Sequence, residues 1–93
     1  MHMREVNLAG VDLNLLPALE ALLRRRNVTQ AAADVGLSQP AMSRALGRLR
    51  DLIGDPLLVR AAGGLALTPQ AERIAARLTP ALREVRRVFQ EPS

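Results

Sequence analysis

Only Gly36 and Leu37 separate two stretches that both read as helix, and this spacing constrains the chain more than any other feature. So short a connection cannot lay the second helix antiparallel against the first, so the two must cross steeply, as in a helix-turn-helix. The first stretch, Thr29–Val35, carries Ala31, Ala32 and Ala33, small enough to admit another helix closely. Thr29 is its expected cap, and Gly36 its stop, because glycine adopts the left-handed conformation after a helix end. The second stretch has Ser38 as its expected cap and Pro40 in its first turn, where the missing N–H costs nothing. Gly54 should end it.

At about 100° per residue, Met42, Leu46, Leu49 and Ile53 form one apolar stripe that must face the body. The opposite side carries Pro40, Arg44, Gly47, Arg48 and Asp51, with Ser43 and Arg50 on a flank. Gly47 in mid-helix costs about 1 kcal/mol relative to Ala. Close approach of a phosphate, or of another helix, would explain it. Gln39 lies at the tip, where helix-turn-helix proteins touch base edges. Gln can bond N6 and N7 of adenine, Arg44 can bond O6 and N7 of guanine, and Pro40 can meet a thymine methyl. Thr29, Ser38 and Ser43 are placed for phosphates at the helix starts.

The remaining segments frame this unit. Asp12 to Arg25 reads as a first helix, with Leu15, Leu16, Leu19, Leu22 and Leu23 on a broad apolar face and Pro17 near its start. The Arg24–Arg26 run suits a helix C-terminus and reads as a solvated end. Residues 57–68 read as a hairpin, Leu57–Arg60 and Leu65–Thr68 flanking a turn in which Gly63 and Gly64 supply positive φ. Thr68-Pro69 then opens a last helix running towards Gln90. Ile74, Leu78, Leu82, Val85 and Phe89 make its apolar stripe, and Pro80 should kink it by clashing with the Ala76 carbonyl.

Ninety-three residues suffice for one domain, and so small a fold gains stability from a partner surface. Phe89 is the sole aromatic residue, so the core must be aliphatic. The net charge is +4, and all 13 basic residues are arginine. Arginine's planar fork suits phosphate and guanine, although composition alone can also reflect the genome. The absence of cysteine excludes disulfides and thiolate metal sites and fits a reducing cytoplasm. No apolar run reaches membrane-spanning length, and no export signal is visible. Enzyme chemistry lacks its parts: the one histidine is His2, no carboxylates cluster, and Gly63-Gly64 lacks the helix and lysine of a phosphate loop. Neither cofactor nor metal is expected.

Five stretches in order carry a family resemblance: Asp12-Leu-Asn-Leu-Leu16, Val28-Thr-Gln-Ala-Ala32, Leu37-Ser-Gln-Pro-Ala-Met-Ser-Arg44, Asp55-Pro-Leu-Leu-Val-Arg60 and Leu67-Thr-Pro-Gln-Ala71. The chain resembles the LysR-type transcriptional regulators of bacteria from about Asp12 to Phe89, and within them the branch of nodulation and aromatic-degradation regulators. The resemblance implies a mainly α fold: a winged helix-turn-helix over 12–68, with a three-helix core and a small β-hairpin wing, then a long linker helix over 69–90. It implies sequence-specific binding of double-stranded DNA by a homodimer, with higher oligomers in the full-length protein. Base contacts would fall to Gln39, Pro40, Ser43 and Arg44. Arg60 on the wing would enter the minor groove, where narrow A·T-rich stretches attract arginine. Phosphate contacts would fall to Thr29, Ser38, Arg48, Arg50 and Thr68. Dimerisation would fall to Ile74, Leu78, Leu82, Val85 and Phe89. The family often has Phe where Leu58 stands and Glu where Arg50 stands. Its members carry a C-terminal effector domain, so a small-molecule effector would act only through a part of the protein missing from this chain.

Two alternatives stay open. The fold could serve as a protein-binding platform without DNA, using the Ile74–Phe89 stripe. That stripe could also fold back on the first helix instead of meeting a second copy.

Overall fold

The computed structural model of the chain describes residues 6–90. A 3-10 turn at Leu8–Gly10 precedes α1 (Leu15–Arg25), α2 (Val28–Val35), α3 (Gln39–Ile53), β1 (Leu58–Ala61), β2 (Gly64–Leu67) and α4 (Pro69–Phe89). His2 lies outside the described residues. The architecture is mainly helical with one two-stranded antiparallel hairpin, the winged helix-turn-helix expected from the sequence.

The helix starts follow local chemistry. Residues 12–14 form a turn in which Asp12 Oδ1 accepts from the Asn14 N–H at 3.0 Å. α1 then opens at Leu15, so Pro17 falls in the first turn, where its ring breaks no bond. The cap of α2 is a correction to the sequence reading. Asn27, in extended backbone, accepts from the Gln30 N–H at 2.8 Å, so the helix starts at Val28 and Thr29 sits exposed inside its first turn. Asparagine caps at least as well as threonine, and the candidate nearer the end of α1 holds the position. Ser38 caps α3 as expected, accepting from the Ala41 N–H at 3.2 Å.

α1 lies at the centre of the body and packs on α2, α3 and α4. Leu22, Met42, Leu49 and Leu57 are the largest fully buried side chains among the described residues. Ala31 and Ala32 are buried where α2 meets its neighbours, the close approach that alanine permits. Across the α1–α2 corner, Asp34 accepts from Arg25 Nε at 2.7 Å and from Arg24 Nη2 at 2.9 Å. The Arg24–Arg26 run is therefore not merely a solvated end: two of its members tie α1 to α2. Hydrogen bonds from Arg25 and then Arg24 hold the Asp34 carboxyl down at about 2.

α4 corrects the sequence reading of its stripe. Ala71 and Leu82 are buried, and Ile74, Ala75 and Leu78 pack half-buried on the core. Arg86 Nη2 reaches Glu20 on α1 at 3.0 Å. Much of the helix is thus folded back on α1, and Leu82 is spent inside the monomer. Val85, Val88 and Phe89 remain exposed at 50%, 77% and 82%. The helix runs unbroken through Pro80, whose ring lies on the solvent side. Its clash with the Ala76 carbonyl therefore favours bending towards the core.

Candidate nucleic-acid interface

α3 divides along its length into two faces. Met42, Ala45, Leu46 and Leu49 are buried, and Ile53 packs half-buried beside them. Gln39, Pro40, Ser43, Arg44, Arg48 and Asp51 are exposed on the other side. The first four are neighbours on the opening two turns, and Gln39 Nε2 donates to Ser43 Oγ at 3.2 Å. Arg44 and Arg48 form no ion pair among the described residues. They border an open cleft of about 310 Å³ that also touches Asp12, Asn14 and Leu37. None of the described residues covers this ridge.

Gly47 lies on the same face. A Cβ built there meets no atom within 4 Å. No described helix packed nearby therefore requires the glycine.

The wing is fastened to α3 at its base. β1 and β2 pair from Leu58↔Leu67 to Ala61↔Gly64. The turn between them is shorter than the four residues expected, only Ala62 and Gly63, with Gly63 at φ 83° and Gly64 at φ 140°. Arg60 projects from β1 and is exposed. At the hairpin's root Leu57 is 1% exposed with φ 66°, and the Leu58 N–H reaches the Pro56 carbonyl at 2.7 Å. That is a γ-turn in the left-handed region, costing on the order of 1–3 kcal/mol. Three side chains hold it. Arg50 donates from Nε to the Pro56 carbonyl at 2.8 Å and from Nη2 to the Leu58 carbonyl at 3.1 Å. Asp55 Oδ2 accepts from the Leu57 N–H at 2.8 Å and from Thr68 Oγ1 at 2.6 Å. Thr68 also caps α4, accepting from the Ala71 N–H at 3.0 Å.

This network removes two residues from the expected phosphate set. Thr68 is 8% exposed and its hydroxyl is engaged twice. Arg50 has turned its fork inward onto two carbonyls. Sequence reasoning placed Arg50 on the edge of the exposed face and could not see the loop returning beneath it. Asp55 is the acceptor that joins the loop to α4. Thr29 and Ser38 stay exposed at the starts of α2 and α3. Ser38 uses a lone pair for its cap, which leaves its hydroxyl proton free to donate.

The sequence of residues 13–72 matches the family described as bacterial regulatory helix-turn-helix protein, lysR family. The chain belongs to the lysR family. Among similar proteins, the HTH-type transcriptional regulator SyrM of Rhizobium etli is 63% identical over 82 residues, 88% of this chain and 24% of that protein. Nodulation protein D 2 of Rhizobium leguminosarum bv. phaseoli is 51% identical over 76 residues, 82% of this chain and 24% of that protein. The chain thus spans about a quarter of the length of these curated relatives. A probable transcriptional regulator from Pseudomonas aeruginosa superposes with a TM-score of 0.80 at 41% identity, over 88% of this chain and 28% of that one. The DNA-binding domain of BenM, solved with benA site 1 DNA, superposes at 0.75 over 85% of this chain and 89% of that one. At 24% identity that likeness is one of fold.

Proposed function

We propose that this chain is the sequence-reading part of a transcriptional regulator: a winged helix-turn-helix over 12–68 and a dimerising helix over 69–90. α3 enters the major groove of double-stranded DNA and the wing enters the adjacent minor groove. The supporting observation is the exposed, unpartnered ridge of Gln39, Pro40, Ser43 and Arg44. Five other arginines of the chain, Arg24, Arg25, Arg50, Arg86 and Arg87, are bonded within it. Arg26, Arg44, Arg48, Arg60, Arg73, Arg77 and Arg83 form no such bond among the described residues, and of these Arg44, Arg48 and Arg60 lie on the recognition face or the wing. In this reading Arg44 reads guanine, Gln39 reads adenine, Pro40 and Ser43 line the contact, and Arg60 enters the minor groove. Thr29, Ser38 and Arg48 meet phosphates. The unpartnered end of α4 supports pairing of two copies, which would set two half-sites about one helical turn apart or a multiple of it. No described helix is long and apolar enough to cross a membrane, and a protein that reads genomic DNA in a bacterium would do so in the cytoplasm.

Fluorescence anisotropy with an operator selected from random duplexes tests the reading. Arg44→Ala should weaken operator binding by about 1–3 kcal/mol and relax the preference at one base position. An equal loss on operator and random DNA contradicts base reading. No salt-sensitive binding at low ionic strength removes DNA as the partner altogether and favours the protein-binding platform.

A further inference from the structure

Gln39 and Ser43 stand four positions apart on the exposed face of α3, so their side chains are neighbours on the helix surface. Gln39 Nε2 donates to Ser43 Oγ at 3.2 Å. No other hydrogen bond engages the Gln39 side chain among the described residues. Its Oε1 and its second amide N–H are therefore uncommitted. The tip of α3 thus carries a glutamine whose amide is already half engaged before any ligand arrives.

A wholly free glutamine is an ambiguous reader of purines. Its oxygen and the N–H beside it form an acceptor–donor pair that matches N6 and N7 of adenine. Its NH2 group also presents two donors, which match the two acceptors of guanine, O6 and N7. Ser43 removes this ambiguity when its Oγ takes the N–H anti to Oε1. The two-donor edge is then spent, and the acceptor–donor pair stays whole. The bond also completes part of the ordering of a long side chain before DNA arrives, which lowers the cost of binding. Water competes for an exposed bond of this kind, and its displacement from a groove strengthens the bond. Arg44, next to Ser43 in the chain, keeps a rigid fork of donors. With Ser43 in place, neighbouring readers present different patterns, and neither can take the other's base.

We propose that Ser43 is a positioning residue: its hydroxyl holds one N–H of Gln39 and so sets Gln39 to accept adenine and refuse guanine. Ser43 acts on specificity through Gln39 and not through a base contact of its own. This rests on the DNA reading above and adds to it the residue that decides which purine Gln39 takes.

Anisotropy on two duplexes tests this: the operator selected from random sequences, and a copy with guanine in place of the adenine that Gln39 reads. That adenine is the position whose preference Gln39→Ala abolishes. Wild type should favour the adenine duplex by about tenfold or more. Ser43→Ala should cut this ratio by about three- to tenfold, the worth of one orienting hydrogen bond, and Ser43→Thr, which keeps the hydroxyl, should retain it. In the Gln39→Ala background, Ser43→Ala should add no further loss. A role in the fold alone would not move the ratio of the two duplexes, and Ser43→Ala should melt no lower than wild type because alanine is the better helix former. Equal loss on both duplexes, or a loss that persists without Gln39, makes Ser43 a DNA contact in its own right and overturns the proposal. An unchanged ratio in Ser43→Ala overturns it as well, as does a Ser43→Thr variant that behaves like Ser43→Ala. An operator with no position relaxed by Gln39→Ala overturns it by removing the reader that Ser43 would hold. Failure of the DNA reading itself would show earlier and differently, as no salt-sensitive binding of wild type to any duplex.

Discussion

Replacing Thr68 with valine removes one hydroxyl and almost no volume, yet it should destabilise the fold severely. The hydroxyl accepts from the Ala71 N–H at 3.0 Å and donates to Asp55 Oδ2 at 2.6 Å, in a residue only 8% exposed. Loss of the cap costs about 1 kcal/mol. Loss of a hydrogen bond to a carboxylate costs about 1.5 kcal/mol or more. Asp55 Oδ2 keeps the Leu57 N–H at 2.8 Å, which limits the second loss, so the total is about 2–3 kcal/mol. For a domain of this size that lowers the melting temperature by roughly 10–20 °C. Thr68→Ser keeps both bonds and should lose only about 1 kcal/mol, from its methyl group. Thermal melts followed by circular dichroism measure both. Salt titrations of DNA binding on the folded Thr68→Val variant should give the wild-type slope. A melting temperature within about 3 °C of wild type, or a slope reduced by one contact at unchanged stability, would refute the clamp and return Thr68 to the phosphate backbone.

Arg48→Ala should weaken binding to operator and random duplex alike and lower the salt slope by about one unit, read by anisotropy across a salt series; a selective loss on the operator would make Arg48 a base reader. Gly47→Ala should raise stability by about 0.5–1 kcal/mol in denaturant melts, because a Cβ there meets nothing within 4 Å; a drop would mean that the helix face is occupied inside the monomer. The Asp34 carboxyl is held at about 2 against an ordinary 3.8. A lowered folded-state value adds stability that is fully present above about pH 3.8 and lost as pH falls through about 2. Melts of Asp34→Asn should therefore run flatter than wild type between pH 4 and 2, and parallel curves would remove the Arg24–Arg25–Asp34 corner from the acid response.

What was legible in the sequence was local. The minimal turn at Gly36-Leu37, the Ser38 and Thr68 caps and the inward stripe Met42, Leu46, Leu49 and Ile53 each depend on residues within a turn or two. The α2 cap was misplaced by two residues because Asn27 and Thr29 are both good caps, and only the path of the chain leaving α1 decides between them. The internal bonds of Arg50 and Thr68 are illegible for a different reason. Their partners, Pro56, Leu58 and Asp55, become neighbours only when the wing folds back under α3. The α4 stripe was drawn on a helical period of 3.6, which mixes Leu82, spent on α1, with Val85, left free. With α1 in place, two faces about 80° apart become distinguishable.

The inward turn of Arg50 also bears on how two grooves can be read at once. A recognition helix and a wing read together only if their offset is fixed before DNA arrives, since ordering them on binding would cost affinity. The strained turn at Leu57 would by itself favour a mobile wing. Arg50 counters this with two donors set in one rigid plane, each on a different carbonyl of that turn. A lysine presents its donors from a single nitrogen and lacks this fixed spacing. Because Arg50 stands on α3 itself, the position of Arg60 is referenced directly to the helix that carries Gln39 and Arg44. In the proposed reading, one face of α3 reads sequence while its edge sets where the second reader stands. Loosening Arg50 should therefore weaken minor-groove discrimination more than it weakens contacts made by α3.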